Sequence, residues 1–284
     1  MRRQRGIALV QVLLIAGIIS LLMLQMSLTA REHLARARVL SDRAESMLAA
    51  QSHESALIYT LLTQPLAQDP ASDNPYVARW NFRGEPFEVG GVTISIQDES
   101  GLQRVPMYGP RAFVDVLVAL GVEPGRARRL GEQLMQVQMG DGQPTGATPA
   151  FPLQAQEQLR SLPDMDDELY GSLRQLTTLY PTPGFNWLTA PRVLRGMGMS
   201  ESQLEGFEQL ERTGELNPLS IWKVAGIEAD EFTVFTPGPA LRLTVGVDVN
   251  RATAQRTTTM VVRPYVDEAV VVWQRETEPR QNDG

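Results

Sequence analysis

From Gly6 to Ala30 the chain carries no charged residue. A helix needs about 20 apolar residues to cross a bilayer, so this run is long enough to span one. It is also longer than the apolar core of a secretory signal, about 7–15 residues, which disfavours a cut near Ser27–Ala30. Arg2, Arg3 and Arg5 precede it. Basic residues favour the cytoplasmic side, so the remainder of the chain is expected outside the cytoplasm. One residue breaks the pattern: Gln11 is polar and sits early in the apolar run.

The helical signal continues past Ala30. No proline or glycine occurs from Arg31 to Leu62. Ala37, Leu40, Ala44, Met47, Leu48, Ile58, Leu61 and Leu62 recur at roughly helical spacing, interrupted by Gln51 and Ser55. The spacing predicts one helix from Ile7 to about Leu62. Residues 7–30 would lie in lipid and residues 31–64 in water, with one face packed on a domain. At 1.5 Å per residue such a helix is about 84 Å long.

A linker with Pro65, Pro70 and Pro75 follows. Gly90-Gly91, between two β-like runs, predicts a tight hairpin. Val92, Ile94 and Ile96 alternate with polar residues, as in a half-buried strand. Strand signals return in LRLTVGVDV, where Leu241, Leu243, Val245, Val247 and Val249 share a face. TTTMVVR and EAVVVWQRE complete a predicted three-stranded meander, with NRATAQR read as a turn and TEPRQNDG as a frayed end. Residues 105–231 between the strand groups predict helices. These cover FVDVLVALG, ARRLGEQLMQVQM, Glu157–Leu162, Asp166–Leu176, APRVLRGMG, SESQLEGFEQLER and NPLSIWKVAGI. Ser200 and Asn217 suit helix N-caps, and GDGQPTGATPAFP is a loop. The fold class is therefore α+β: a long helix packed on an antiparallel sheet, with a large helical insertion between strands.

Composition narrows the chemistry. The chain has no cysteine, which excludes disulfides, thiolate metal sites and cysteine nucleophiles. Its only histidines, His33 and His53, are twenty residues apart on the helix. That separates them by about 30 Å along the axis, too far to share a metal or one reaction. No serine elbow, phosphate loop or dinucleotide fingerprint occurs, and no enzymatic activity is expected. Asp164, Asp166, Asp167 and Glu168 cluster in PDMDDEL. Oxygen-rich clusters suit calcium, so Asp164, Asp166 and Asp167 are candidate ligands. Acidic residues at a helix start are also ordinary dipole partners, and the EF-hand pattern is absent. GMGMSESQLEGF is similar to a helix-hairpin-helix turn, whose amides could face phosphate. Yet residues 189–231 hold four basic residues (Arg192, Arg195, Arg212, Lys223) against eight acidic ones. The net charge there is −4 and the whole chain carries −7, which opposes nucleic acid. The segment 185–231 therefore reads as a packing unit.

The N-terminus resembles the leader of type IV pilins and pseudopilins: short, basic and ending in glycine before a hydrophobic residue. Arg5-Gly6-Ile7-Ala8-Leu9 fits. The resemblance implies that residues 1–6 are a leader, cut by a prepilin peptidase between Gly6 and Ile7, with methylation of Ile7. Most members carry glutamate at the fifth mature position, where this chain has Gln11. An amide carries no charge to pair with a neighbour's N-terminal ammonium. That departure, and the sheet at 82–98 and 232–276 split by a helical insertion, resemble the K-type minor pseudopilin of the type II secretion system. ISIQDESG resembles the family segment closing the second strand. FNWLTAPRVLRGM is similar to its Asn-x-Asn-Thr-Ala-Pro segment through Asn186, Thr189, Ala190 and Pro191. DEFTV followed by the alternating strand resembles the return to the sheet. Leu188 replaces the second asparagine, and Leu102-Gln103-Arg104 replaces a lysine- and asparagine-bearing stretch. The implied location is the inner membrane, with the main domain periplasmic. The implied role is at a pseudopilus tip, with I-type and J-type pseudopilins as partners and no required cofactor. A minor pilin of a type IV pilus and a membrane-anchored DNA-binding protein are the alternatives.

Overall fold

A computed structural model of the chain describes residues 4–105, 109–139, 153–182, 184–227, 233–250 and 252–281. The uncharged run and the segment after it form one helix, α1 (Gln4–Thr63). Its first half is long and apolar enough to cross a membrane, and the residues described there are exposed. Residues 31–41 stand almost free of the rest of the chain, and contact with the sheet begins near Asp42.

The face of α1 that meets the sheet is not the predicted one. Ser46, Ala50, Glu54, Leu57, Thr60 and Leu61 are buried. Of the predicted stripe, Leu61 is buried and Ile58 and Leu62 are half-buried, while Ala37, Leu40, Ala44, Met47 and Leu48 are exposed. Two faces of this helix carry apolar residues, and hydropathy does not rank them. The sheet takes the face where small Ser46 and Ala50 allow close approach and where Glu54 finds cationic partners.

The linker holds the first anchor of the core. Trp80 is fully buried, and its indole N–H donates to the Ala67 carbonyl at 2.9 Å. Two strands follow, β1 (Phe87–Val89) and β2 (Val92–Asp98), joined by the predicted Gly90-Gly91 turn. Both glycines have positive φ, +61° and +80°, which residues with a Cβ rarely adopt. A single 3₁₀ turn (Glu99–Gly101) then leaves the sheet for the insertion.

Within the insertion the elements are β3 (Gln103–Arg104), α2 (Arg111–Ala119), α3 (Pro124–Met139), α4 (Asp167–Leu176), β4 (Thr177–Thr178), β5 (Phe185–Asn186), α5 (Arg192–Gly198), α6 (Glu201–Thr213), α7 (Pro218–Ala225) and β6 (Thr233–Val234). The segment predicted as a helix at Glu157–Leu162 is a 3₁₀ helix, Gln156–Ser161. Ser200 and Asn217 cap α6 and α7, each with the reciprocal bond from the third helical residue. Two apolar clusters hold the insertion. One gathers Phe113, Val116, Leu130, Leu134 and Leu173. The other gathers Met199, Leu204, Phe207 and Ile221. The loop expected at residues 140–152 lies outside the described residues.

The chain returns through β7 (Ala240–Val249), β8 (Ala252–Val262) and β9 (Val270–Gln281). The five-stranded sheet has the order β1-β2-β7-β8-β9 and is antiparallel throughout. Three expectations are corrected here. NRATAQR is mostly strand: β8 starts at Ala252, and Asn250, at φ +50°, marks the turn. TEPRQ is not frayed but pairs along β8. Long polar stretches hide a strand whose partner supplies the hydrogen bonds. The returning strand lies in the main sheet as expected, but the sheet resumes at Ala240 rather than at 232, because Thr233–Val234 pairs with β5.

Strand β8 climbs alongside α1. Asn250 donates to Asp42 at 3.0 Å, and Thr258, further along, meets Glu54. The end of β2 and the start of β7 are therefore at the sheet end far from the membrane span. The insertion departs and returns there.

Candidate functional site

Three polar constellations hold the chain's parts together. The first joins two motifs separate in sequence, ISIQDESG and FNWLTAP. Asp98 is fully buried. Its carboxylate accepts from Asn186 Nδ2 at 3.0 Å, Thr189 Oγ1 at 2.9 Å, Ser100 Oγ at 2.5 Å and the Ser100 amide at 3.0 Å. Four donors around one carboxylate satisfy its lone pairs, which makes a buried charge tolerable. Beside it, Gln97 Nε2 donates to the Thr189 carbonyl at 3.0 Å. Gly101 lies so close that an added Cβ would sit 2.6 Å from that carbonyl group. Leu188, where the resemblance expects asparagine, gives its amide to Asn186 Oδ1 at 3.1 Å and turns its side chain to the second apolar cluster. Sequence singled out both motifs but not their contact; their shared signal is small polar residues beside apolar runs.

The second constellation fixes α1 to the sheet. Glu54, 3% exposed, bonds to Arg256 and accepts from Thr258 Oγ1 at 2.6 Å; Arg275 approaches at 3.4 Å. Sequence reasoning missed Glu54. A charged residue amid a helix's apolar positions, opposite a strand carrying arginine, was the available signal. In the third, Glu211 of α6 binds both Arg83 and the buried Arg195, whose guanidinium stacks over Phe207 at 4.8 Å. This ties the helix-hairpin-helix-like unit to the strip beside β2.

The acidic cluster is engaged by arginines. Asp164 accepts from Arg129 at 3.0 Å and Gln133 at 3.2 Å. Asp166 accepts from Arg126 at 2.7 Å and caps α4 through the Leu169 amide at 2.8 Å. Asp167 faces Arg160 at 3.3 Å. The Arg126 guanidinium, then the Leu169 amide, hold the Asp166 carboxyl below its usual value. A calcium ion on Asp164, Asp166 and Asp167 would have to displace these cations. Among the described residues no three His, Cys, Asp or Glu side chains are grouped to hold a metal.

The Gly-Met-Gly of the supposed hairpin lies inside α5. An added Cβ on Gly198 would meet Trp187 at 2.5 Å, so that glycine admits a ring rather than a phosphate. The amide of Ser200 is taken by Gln203 at 2.8 Å, and Arg192 is paired with Glu201 and Glu208. Gly6, Ile7 and Gln11 all lie in the first turns of α1, and Gln11 is exposed there. His53 bonds Tyr76 across 3.1 Å, and His33 is exposed further down the helix. A cleft of about 510 Å³ is lined by Gln156, Tyr180, Trp273, Glu99 and Arg242. Its Glu99 and Arg242 face each other at 2.9 Å.

A chain of the GspK-GspI-GspJ complex from the enterotoxigenic Escherichia coli type 2 secretion system superposes on this one with a TM-score of 0.54 at 14% identity, over 86% of this chain and 99% of that one. The two chains share a fold. It is the fold that the K-type resemblance implied: a long helix, an antiparallel sheet and added helices. No family model matches the sequence, and no curated protein matches it by sequence.

Proposed function

We propose that this chain is a minor pseudopilin at the tip of a type II secretion pseudopilus, anchored in the inner membrane by residues 7–30 and working in the periplasm without catalysis. The fold shared with a member of a GspK-GspI-GspJ complex supports the class and makes I-type and J-type pseudopilins the expected partners. One observation carries the tip position. The insertion leaves the sheet after Asp98 and returns at Ala240, at the end far from the span. A subunit inside a helical fibre must accept another on that side, and here the insertion occupies it.

Processing follows from Gly6-Ile7, with Gln11 at the fifth mature position. Lacking a carboxylate, Gln11 forms no ion pair with the ammonium of a subunit ahead of it, which suits the first subunit of a fibre. The test is co-expression with prepilin peptidase and I-type and J-type pseudopilins. The expected outcome is a ternary complex whose member from this chain has the mass of a chain starting at N-methylated Ile7. An unprocessed chain beside an active peptidase, or no binding to either partner, overturns the proposal.

A further inference from the structure

We propose that the free-standing helix segment after the membrane span is an anionic-lipid contact made by Arg31 and Arg38. Both are exposed and have no ion-pair partner among the described residues. Seven residues apart, they lie within about 20° of each other around the helix and about 10 Å apart along it. Their neighbours differ. Arg36 is held by Glu32 at 2.5 Å, Arg43 is half-buried, and Asp42 is bonded to Asn250. Glu45 is exposed one turn beyond Asp42, outside the reach of Arg31. Leu34, 59% exposed, sits between the two arginines on the same side.

Two general properties of membrane helices favour bringing both guanidiniums to the headgroups. Side chains on a helix lean toward its N-terminus, here toward the bilayer. The span Ile7–Ala30 would be about 36 Å long against a hydrocarbon layer of about 30 Å, and the excess is absorbed by tilt, which lowers the segment onto the surface. Basic residues on the exported side are otherwise disfavoured, so a lipid phosphate partner gives this pair a role. Only the choice of leaflet rests on the function proposed above.

The chain has no cysteine, so Ala35→Cys places a single nitroxide label between the arginines. The labelled full chain is compared in nanodiscs of phosphatidylcholine alone and of equal phosphatidylcholine and phosphatidylglycerol. Both disc faces are equivalent, so the result is independent of orientation and of leader processing. Phosphatidylglycerol is expected to slow the label at least two-fold. Arg31→Gln/Arg38→Gln should abolish that slowing, and Arg31→Lys/Arg38→Lys should keep it. Equal spectra in both lipids overturn the proposal, as does slowing that survives the glutamine pair. Slowing by free glycerophosphate in phosphatidylcholine discs would also overturn it, because the segment would then read soluble anions rather than a membrane.

Discussion

Asp98 and Glu54 are the two carboxylates on which the arrangement of parts turns. Each is more than nine-tenths buried, and each is the acceptor for donors from distant segments. Removing such a carboxylate strands its partners: Asn186, Thr189 and Ser100 in one case, Arg256 and Thr258 in the other. Each buried donor left without its acceptor costs about 1–3 kcal/mol, and several are lost at once, although Asn186 keeps its bond to the Thr236 carbonyl, so the total is about 3–5 kcal/mol. Asp98→Ala and Glu54→Ala are each expected to destabilise the detergent-solubilised chain by that order. Leu48→Ala, on the exposed side of α1, should change it by less than about 0.5 kcal/mol. Thermal unfolding of the three variants checks the ranking. Asp98→Ala within about 1 kcal/mol of the parent would show that the insertion is held by its other contacts, such as Arg174–Glu276 and Arg242 to the Thr177 carbonyl, instead.

Among the elements, those that sequence revealed are those whose reasons are local. The Gly90-Gly91 turn, the alternation in β7, the caps at Ser200 and Asn217 and the length of α1 each depend on a few neighbouring residues. What stayed hidden depends on partners. The buried side of α1 is chosen by the sheet, the far half of β9 is drawn out by β8, and the two-residue strands exist only where β3 meets β4 and β5 meets β6. The site residues divide the same way: Gly6, Ile7 and Gln11 are proposed from the resemblance of one short stretch, while Asp98 needed Asn186 and Thr189 brought from about ninety residues away (a separation no periodicity reports). The α3–α4 region also carries a pH dependence. Arg126 and the Leu169 amide lower the Asp166 carboxyl, and the Gly125 and Arg126 amides lower Glu123 at the start of α3. A depressed folded pKa adds stability above the unfolded value, about 3.9–4.3, and that stability fades as pH falls through the folded value. The melting temperature should therefore hold steady down to about pH 5 and fall below about pH 4. Asp166→Asn should lower it at neutral pH and flatten the acid decline; an unchanged acid limb would remove Asp166 from the cause.

For the whole molecule, the decisive feature is what α1 leaves uncovered. The sheet occupies one side, and Leu40, Met47, Leu48 and Tyr59 remain exposed along the segment beyond the membrane, at 63%, 39%, 65% and 68%. A row of exposed apolar side chains on an otherwise packed subunit marks an interaction surface. In the proposed assembly the neighbour's helix lies there, below an insertion that closes the far end. The two surfaces then have separate duties: the stripe joins the fibre, and the insertion ends it. Leu40→Glu/Leu48→Glu places two charges on the stripe without touching the sheet contacts. The expected result is an unchanged melting temperature for the isolated chain, with at least ten-fold weaker capture of an I-type pseudopilin, because each buried carboxylate must shed its water without a partner. A double variant that melts early would mean the stripe supports the fold. One that melts normally and still binds its neighbour at full strength would move the contact off α1, onto the sheet edge or the insertion.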